Sequence, residues 1–167
     1  MRKEITFPLT KEEAKMLRAG DMCYASGTLY TARDAAHKRM YESMEKGEDL
    51  PISLENTVLY YLGPSPAKPG QVIGSAGPTT SSRMDKYTPR LLAAGVTGVI
   101  GKGKRSSAVR ESLEKEGAVY FAAIGGAGAL LSKCIKEAEV VAYEDLGTEA
   151  IRKLRVEKLP VVIIMKK

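Results

Sequence analysis

Residues 88–124, TPRLLAAGVTGVIGKGKRSSAVRESLEKEGAVYFAAI, decide the fold class. Thr88-Pro89 reads as the N-cap and first residue of a helix to Ala94, because proline lacks the N–H that would be orphaned there. Residues 96–100 are a short apolar run that reads as a strand. Residues 106–116 have the spacing of an amphipathic helix, and residues 119–124 read as the next strand. Strand, helix and strand at this spacing form a crossover unit, which implies parallel strands with helices packed on the sheet.

The same alternation extends outward in both directions. Towards the start, residues 71–74 read as a strand, the Gly/Pro-rich residues 63–70 as a loop, and residues 57–62 as a β-branched and aromatic strand. Thr31 is the expected N-cap of a helix over 32–46, with Asp34 in the first turn where the helix dipole favours a carboxylate, and Gly47 ends it. Residues 22–29 look extended, broken at Ser26-Gly27. Thr10 and Glu13 form a capping box opening a short helix that Gly20 closes, and residues 5–7 are the first strand. Towards the end, residues 129–138 are expected to be helical and 140–143 extended. The expectation is one α/β domain over residues 1–167, with a mixed, largely parallel sheet flanked by helices.

Composition sets the class of partner. The chain has 167 residues, 44% of them hydrophobic and 28% charged, enough to bury ~70% of the unfolded chain's surface in one core. Its 26 basic and 20 acidic residues leave a formal charge of +6, which admits nucleic acid, an acidic protein or an anionic small molecule. With no Trp and two Phe, no basic run is interleaved with aromatics to stack bases, which argues against nucleic acid. The start has no signal-like apolar run and no segment has the length of a membrane span, so a cytoplasmic protein is expected. Cys23 and Cys134 belong to no CxxC or Cys/His pattern and read as reduced thiols.

Four groups invite chemistry. Gly101-Lys102-Gly103-Lys104 follows a strand but lacks the spacing of a Walker loop; its glycines still permit close ligand approach, with Lys102 as a point charge. Gly125-Gly126-Ala127-Gly128 resembles half of a dinucleotide fingerprint, but Leu131 stands where the third glycine belongs, and close packing of helix on strand is the better account of these glycines. Gly77-Pro78-Thr79-Thr80-Ser81-Ser82-Arg83 offers four consecutive hydroxyls and a guanidinium, which suit a carboxylate or phosphate. Arg33 and His37, four apart on a helix, share a face and could address one ligand. His37 is the chain's single histidine, which alone is more often a structural or surface residue than a catalytic one.

These segments, together with Gly20-Asp21, Ser26-Gly27-Thr28-Leu29, Arg33-Asp34-Ala35-Ala36-His37-Lys38, Ile100-Gly101-Lys102-Gly103 and Asp145-Leu146-Gly147-Thr148-Glu149-Ala150, stand in the order found in iron–sulfur class I fumarate hydratases. The resemblance is to their carboxy-terminal domain or separate β subunit, and L-tartrate dehydratase β subunits share the pattern. It implies a swivelling β/β/α domain that completes the active site of an α subunit bearing a [4Fe–4S] cluster, as an α2β2 assembly acting on a C4 dicarboxylate: fumarate, tartrate or mesaconate. Two cysteines in no cluster-like spacing cannot hold that cluster here.

By resemblance, Arg33, Arg83 and Lys102 bind substrate carboxylates and Thr79 is the base or proton relay. The Thr79 hydroxyl would need its pKa lowered by nearby cations to serve. His37 is the alternative acid–base group, with Asp34 fixing its tautomer or buttressing Arg33. Lys104-Arg105 reads as variable ground. An anion- or nucleotide-binding regulatory module and a basic RNA-binding domain are the readings from other classes.

Overall fold

The computed structural model describes residues 2–64, 67–124 and 128–166. In chain order these form β1 (Arg2–Phe7), α1 (Lys11–Lys15), β2 (Met22–Thr31), α2 (Asp34–Glu45), β3 (Val58–Tyr60), α3 (Thr88–Ala93), β4 (Gly98–Gly101), α4 (Ser107–Glu116), β5 (Val119–Ala123), α5 (Gly128–Ser132), β6 (Ile135–Ala142) and β7 (Ile151–Lys166). Two 3-10 segments, Ser81–Met84 and Glu144–Glu149, lie between them. No helix among the described residues is long and apolar enough to cross a membrane.

The crossover reading of residues 88–124 holds: β3, β4 and β5 are parallel neighbours, joined by α3 and α4. β1 and β3 both run parallel to β2, along its first and last parts. The expectation of a largely parallel sheet does not hold. β7 runs antiparallel to β2, β5 and β6. Its pairing to both β2 and β5 closes β2, β3, β4, β5 and β7 into a mixed barrel, with β1 and β6 alongside.

Closure explains where the core sits. Side chains alternate across a strand, and here both sides are dry. Val58, Tyr60, Ile100, Val119 and Phe121 pack with Leu154, Val156, Leu159, Val161 and Ile163 from β7 in one apolar cluster. The alternate residues Leu59, Tyr61, Val99 and Tyr120 pack with Ala36, Met40, Leu91, Val109 and Leu113 from the helices in another. Strands covered on both faces become continuous apolar runs, which is why β3 to β5 are so plain in the sequence.

Several local expectations are corrected. Residues 71–74 form an irregular, bent segment rather than a strand. The helix expected over 129–138 stops at Ser132, and its second half is β6, held by β7 from Ile135↔Val156 onward. The N-cap of α2 is Arg33, not Thr31. The Thr31 hydroxyl is turned to β7 instead, accepting from the Arg152 amide at 3.0 Å. For α3 the N-cap is Tyr87, so Thr88 and Pro89 are already helical. The α1 capping box is as expected, with Thr10 Oγ1 accepting from the Glu13 amide at 3.1 Å. Cys23 and Cys134 are both free thiols, the first buried.

Candidate active site

Tyr61 and Lys102 follow directly on the carboxyl ends of β3 and β4, and Arg33 lies two residues past the end of β2. Parallel strands present ligands to this edge because the loops after them converge there. The hydroxyl loop is fastened across it by backbone bonds. The Thr79 amide donates to the Tyr61 carbonyl at 2.7 Å and the Ser81 amide to the Lys102 carbonyl at 2.8 Å, with Thr80 in a parallel bridge to Lys102. Thr79 is half-buried, and its hydroxyl has no hydrogen-bond partner among the described residues. Lys102 is exposed, and its ammonium makes neither hydrogen bond nor ion pair among them.

The 3-10 turn after the loop carries Arg83 to the start of α2. Arg83 Nε donates to Asp34 Oδ2 at 2.8 Å, while Arg33 Nε lies 3.9 Å from Asp34 Oδ1. One carboxylate therefore stands between two guanidiniums brought together from 50 positions apart in the chain. Burial works to raise the Asp34 carboxyl, but the Arg83 hydrogen bond, its own amide and both arginine charges outweigh it and hold it below its ordinary value. Arg33 Nε and Asp34 Oδ1 are both buried without a hydrogen-bond partner. Asp34 thus braces the arginines rather than the histidine.

Arg33 has room because residue 63 is glycine: a Cβ there would come within 2.6 Å of Arg33 Cδ and 2.7 Å of Nη1. The segment Asp145–Ala150 frames it from the other side. Glu149 Oε1 accepts from the Ala35 amide at 3.0 Å, supplying the cap that Arg33 lacks. Asp145 holds Arg39 of α2 in a bidentate pair at 2.7 and 2.8 Å. Arg152 donates to the Gly147 and Thr148 carbonyls and so stiffens the turn.

His37 does not reach the open edge with Arg33. It is 1% exposed, with its ring edge-on to Tyr61 at 5.2 Å and near Tyr87 at 6.3 Å. Its Nδ1 bonds to the Arg33 carbonyl at 2.8 Å, which makes that nitrogen the protonated one. Burial, aided by the Arg105 charge, pushes the imidazole down to about 4 against the pull of that carbonyl and Asp34. The ring is neutral at physiological pH and meets the edge through the backbone of Arg33 and the ring of Tyr61.

The residue missed in the sequence is Arg105. Its side chain is fully buried beneath the loop, where Nε donates to Asp85 at 2.7 Å and Nη2 to Thr88 at 2.8 Å and Tyr61 at 3.1 Å. The guanidinium packs on the rings of Tyr61 and Tyr120 at 5.2 and 5.0 Å. Asp85 also accepts from the Ser106 amide at 2.8 Å and so fixes the start of α4. The only sequence signal was an acid, Asp85, following the hydroxyl loop that an arginine could answer. The Gly125–Ala127 part of the expected nucleotide turn lies outside the described residues. Gly128 is pressed against Ser75 and within 2.8 Å of the Gly77 amide at the position of a Cβ, which is the close-packing use of glycine.

The edge therefore brings together two guanidiniums paired to Asp34, the exposed Lys102 ammonium and the unengaged Thr79 hydroxyl, groups whose chemistry suits an anion. Comparison with known proteins places the chain in a family. Residues 2–167 match the family described as Fumarase C-terminus. The chain is 41% identical over 142 residues to the aerobic class I fumarate hydratase of Escherichia coli (strain K12), covering 84% of this chain and 26% of that protein. It is 36% identical over 157 residues to fumarate hydratase 2 of Leishmania major, covering 93% and 28%. It thus spans about a quarter of the length of these fumarate hydratases. A protein of Methanocaldococcus jannaschii provisionally named L(+)-tartrate dehydratase subunit beta is 36% identical over 169 residues, covering 97% of this chain and 87% of that one. With the whole described sheet and its carboxyl-edge loops inside the matched region, the chain belongs to the Fumarase C-terminus family.

Proposed function

We propose that this chain is the β component of an iron–sulfur hydro-lyase that interconverts fumarate and (S)-malate, supplying carboxylate-binding and proton-transfer groups to a site shared with an α subunit in an α2β2 assembly. The observation that carries the reading is the pair of guanidiniums held on one carboxylate at the rim of the hydroxyl loop. A bidentate fork matches a carboxylate in shape and charge, and a C4 dicarboxylate offers two.

Dehydration of malate removes a weakly acidic proton beside a carboxylate and expels hydroxide, so negative charge builds on that carboxylate in the transition state. Arg33 and Arg83 are pre-oriented to stabilise it, and exposed Lys102 meets the second carboxylate. Thr79 is the candidate for moving the carbon-bound proton, a role that requires nearby cations to lower the pKa of its hydroxyl. His37, neutral and bonded to the Arg33 carbonyl, serves as a positioning group for that arginine.

A [4Fe–4S] cluster does not fit the residues of this chain. Cys23 is buried, the chain has one other cysteine, and no three His, Cys, Asp or Glu side chains converge among the described residues. In this proposal the cluster belongs to the α subunit, and the departing hydroxide is handled there. The relatives' names extend to L(+)-tartrate, so L-tartrate or mesaconate is the alternative substrate on the same clamp.

The test is anaerobic coexpression with a cluster-bearing α subunit, followed by assays with fumarate, malate, mesaconate and L-tartrate. The expected result is turnover of a dicarboxylate by the complex and none by this chain alone. Turnover of malate by this chain in metal-free buffer, or no turnover of any of the four by a cluster-loaded complex, would falsify the proposal.

A further inference from the structure

We infer that Tyr120 is a positioning residue whose buried hydroxyl fixes the spacing between the Thr79 loop and Lys102; the inference rests on the hydro-lyase reading of the site. The loop and the lysine come from separate parts of the chain, joined through the backbone by the Ser81 bond to Lys102 and the Thr80–Lys102 bridge. Tyr120 approaches from β5, one strand further along the sheet, and meets both. Its hydroxyl donates to the Gly103 carbonyl at 2.8 Å and lies 2.8 Å from Ser81 Oγ. A phenol has one proton, and Gly103 takes it, so Ser81 must be the donor in the second bond. The result is a directional chain, Ser81 to Tyr120 to Gly103, tying the residue two after Thr79 to the residue one after Lys102.

This chain has little freedom to rearrange. Ser81 is 0% exposed and Tyr120 1%, so water cannot replace a lost partner without a cavity. A Cβ on Gly101 would run into Ser81 Oγ and come within 2.8 Å of Tyr61 Cδ2. The Tyr120 ring is held independently, by its packing against the Arg105 guanidinium at 5.0 Å. Removing the hydroxyl therefore leaves the ring and the backbone bonds in place while deleting the side-chain link between the two loops. Gly103, at φ 88°, forms the left-handed turn directly after Lys102, so the carbonyl that Tyr120 grips sets the direction from which the lysine leaves the strand.

The experiment compares Tyr120→Phe and Ser81→Ala in the assembled enzyme, reading kcat and KM separately, with Thr79→Val and Lys102→Met alongside. Tyr120→Phe leaves the Ser81 hydroxyl buried without its acceptor and is expected to unfold several degrees below the wild type, and to raise KM and lower kcat together, with kcat/KM down by roughly 10–100-fold, the scale of an ångström's misplacement. Ser81→Ala leaves the Gly103 bond intact and is expected to lower kcat while KM stays near wild type. A purely structural tyrosine would not divide the two parameters in this way. Wild-type kcat and KM in Tyr120→Phe, with Thr79→Val and Lys102→Met impaired, overturns the inference alone. So does the same kcat and KM change in both hydroxyl variants, and wild-type kcat in Ser81→Ala does so even if the Phe variant fails to fold. Wild-type kinetics in Thr79→Val and Lys102→Met overturn the site reading, and the inference with it.

Discussion

Replacing Gly63 with alanine isolates the role of Arg33 without touching the arginine. The added Cβ would stand 2.6 Å from Arg33 Cδ and 2.7 Å from Nη1, and 3.3 Å from the Thr148 carbonyl oxygen. Favourable contact between such atoms begins at about 3.5 Å, so the guanidinium must retreat by roughly an ångström. What gives way is the outer part of a long side chain that is 22% exposed. The folded chain should therefore lose less than about 1 kcal/mol in denaturant unfolding. Substrate alignment is less forgiving, and an ångström's error in a carboxylate-binding group costs up to about 10²-fold. The assay is kcat/KM of the assembled enzyme for Gly63→Ala, Arg33→Met and the double variant, read as a double-mutant cycle. Gly63→Ala is expected to lower kcat/KM by roughly 10–100-fold in the wild-type background and to add little once Arg33 is gone. Equal losses in both backgrounds, or no loss in the first, would refute the claim that Gly63 exists to seat Arg33.

His37 gives a pH signature of stability. The folded ring protonates only near 4 against an ordinary 6.5, so between those values the unfolded chain takes up a proton that the folded chain refuses. Stability is then full above pH 6.5 and falls by about 3 kcal/mol as pH drops towards 4; His37→Gln should flatten that slope, and an unchanged slope would mean the ring is not buried neutral. Arg105→Met removes the partner of a mostly buried Asp85 and should cost about 3–5 kcal/mol in unfolding free energy, against a loss below about 1 kcal/mol for exposed Lys104→Met. Thr79→Val should reduce exchange of the malate carbon-bound proton with solvent by roughly 10²-fold or more; near-normal exchange in both this variant and His37→Gln would move the base to the α subunit.

What was legible in the sequence follows from how each element is buried. β3, β4 and β5 have two dry faces, so their apolar runs and the helices between them could be read directly. β7 could not be read. Its first half carries Arg152, Lys153, Arg155, Glu157 and Lys158 among its apolar residues, and Pro160 stands mid-strand, a signal that ordinarily argues against a strand. The strand tolerates these because it bends there, with Lys158 at φ 49°. β6, Ile135–Ala142, is rich in Lys, Glu and Ala, a helical composition overridden by its pairing with the unread β7. At the site, the segments were legible as motifs but their arrangement was not. The sharing of Asp34 by Arg33 and Arg83 depends on a turn 49 residues away, and Arg105 in a basic run looks like surface until Asp85 is seen opposite it.

The late position of β7 governs how the chain assembles. β1 to β5 can pair as they emerge, each beside a neighbour already made. The ring, however, waits for a strand that must meet β2, more than 120 residues upstream, as well as β5 and β6. Closure of so long a loop is slow relative to local pairing. Until it happens, β2 and β5 present open edges that invite pairing with other chains. The site inherits this order, because Thr31, just before Arg33, takes its bond from the Arg152 amide of β7. The strand end that leads into Arg33 is therefore fully anchored only when the barrel shuts.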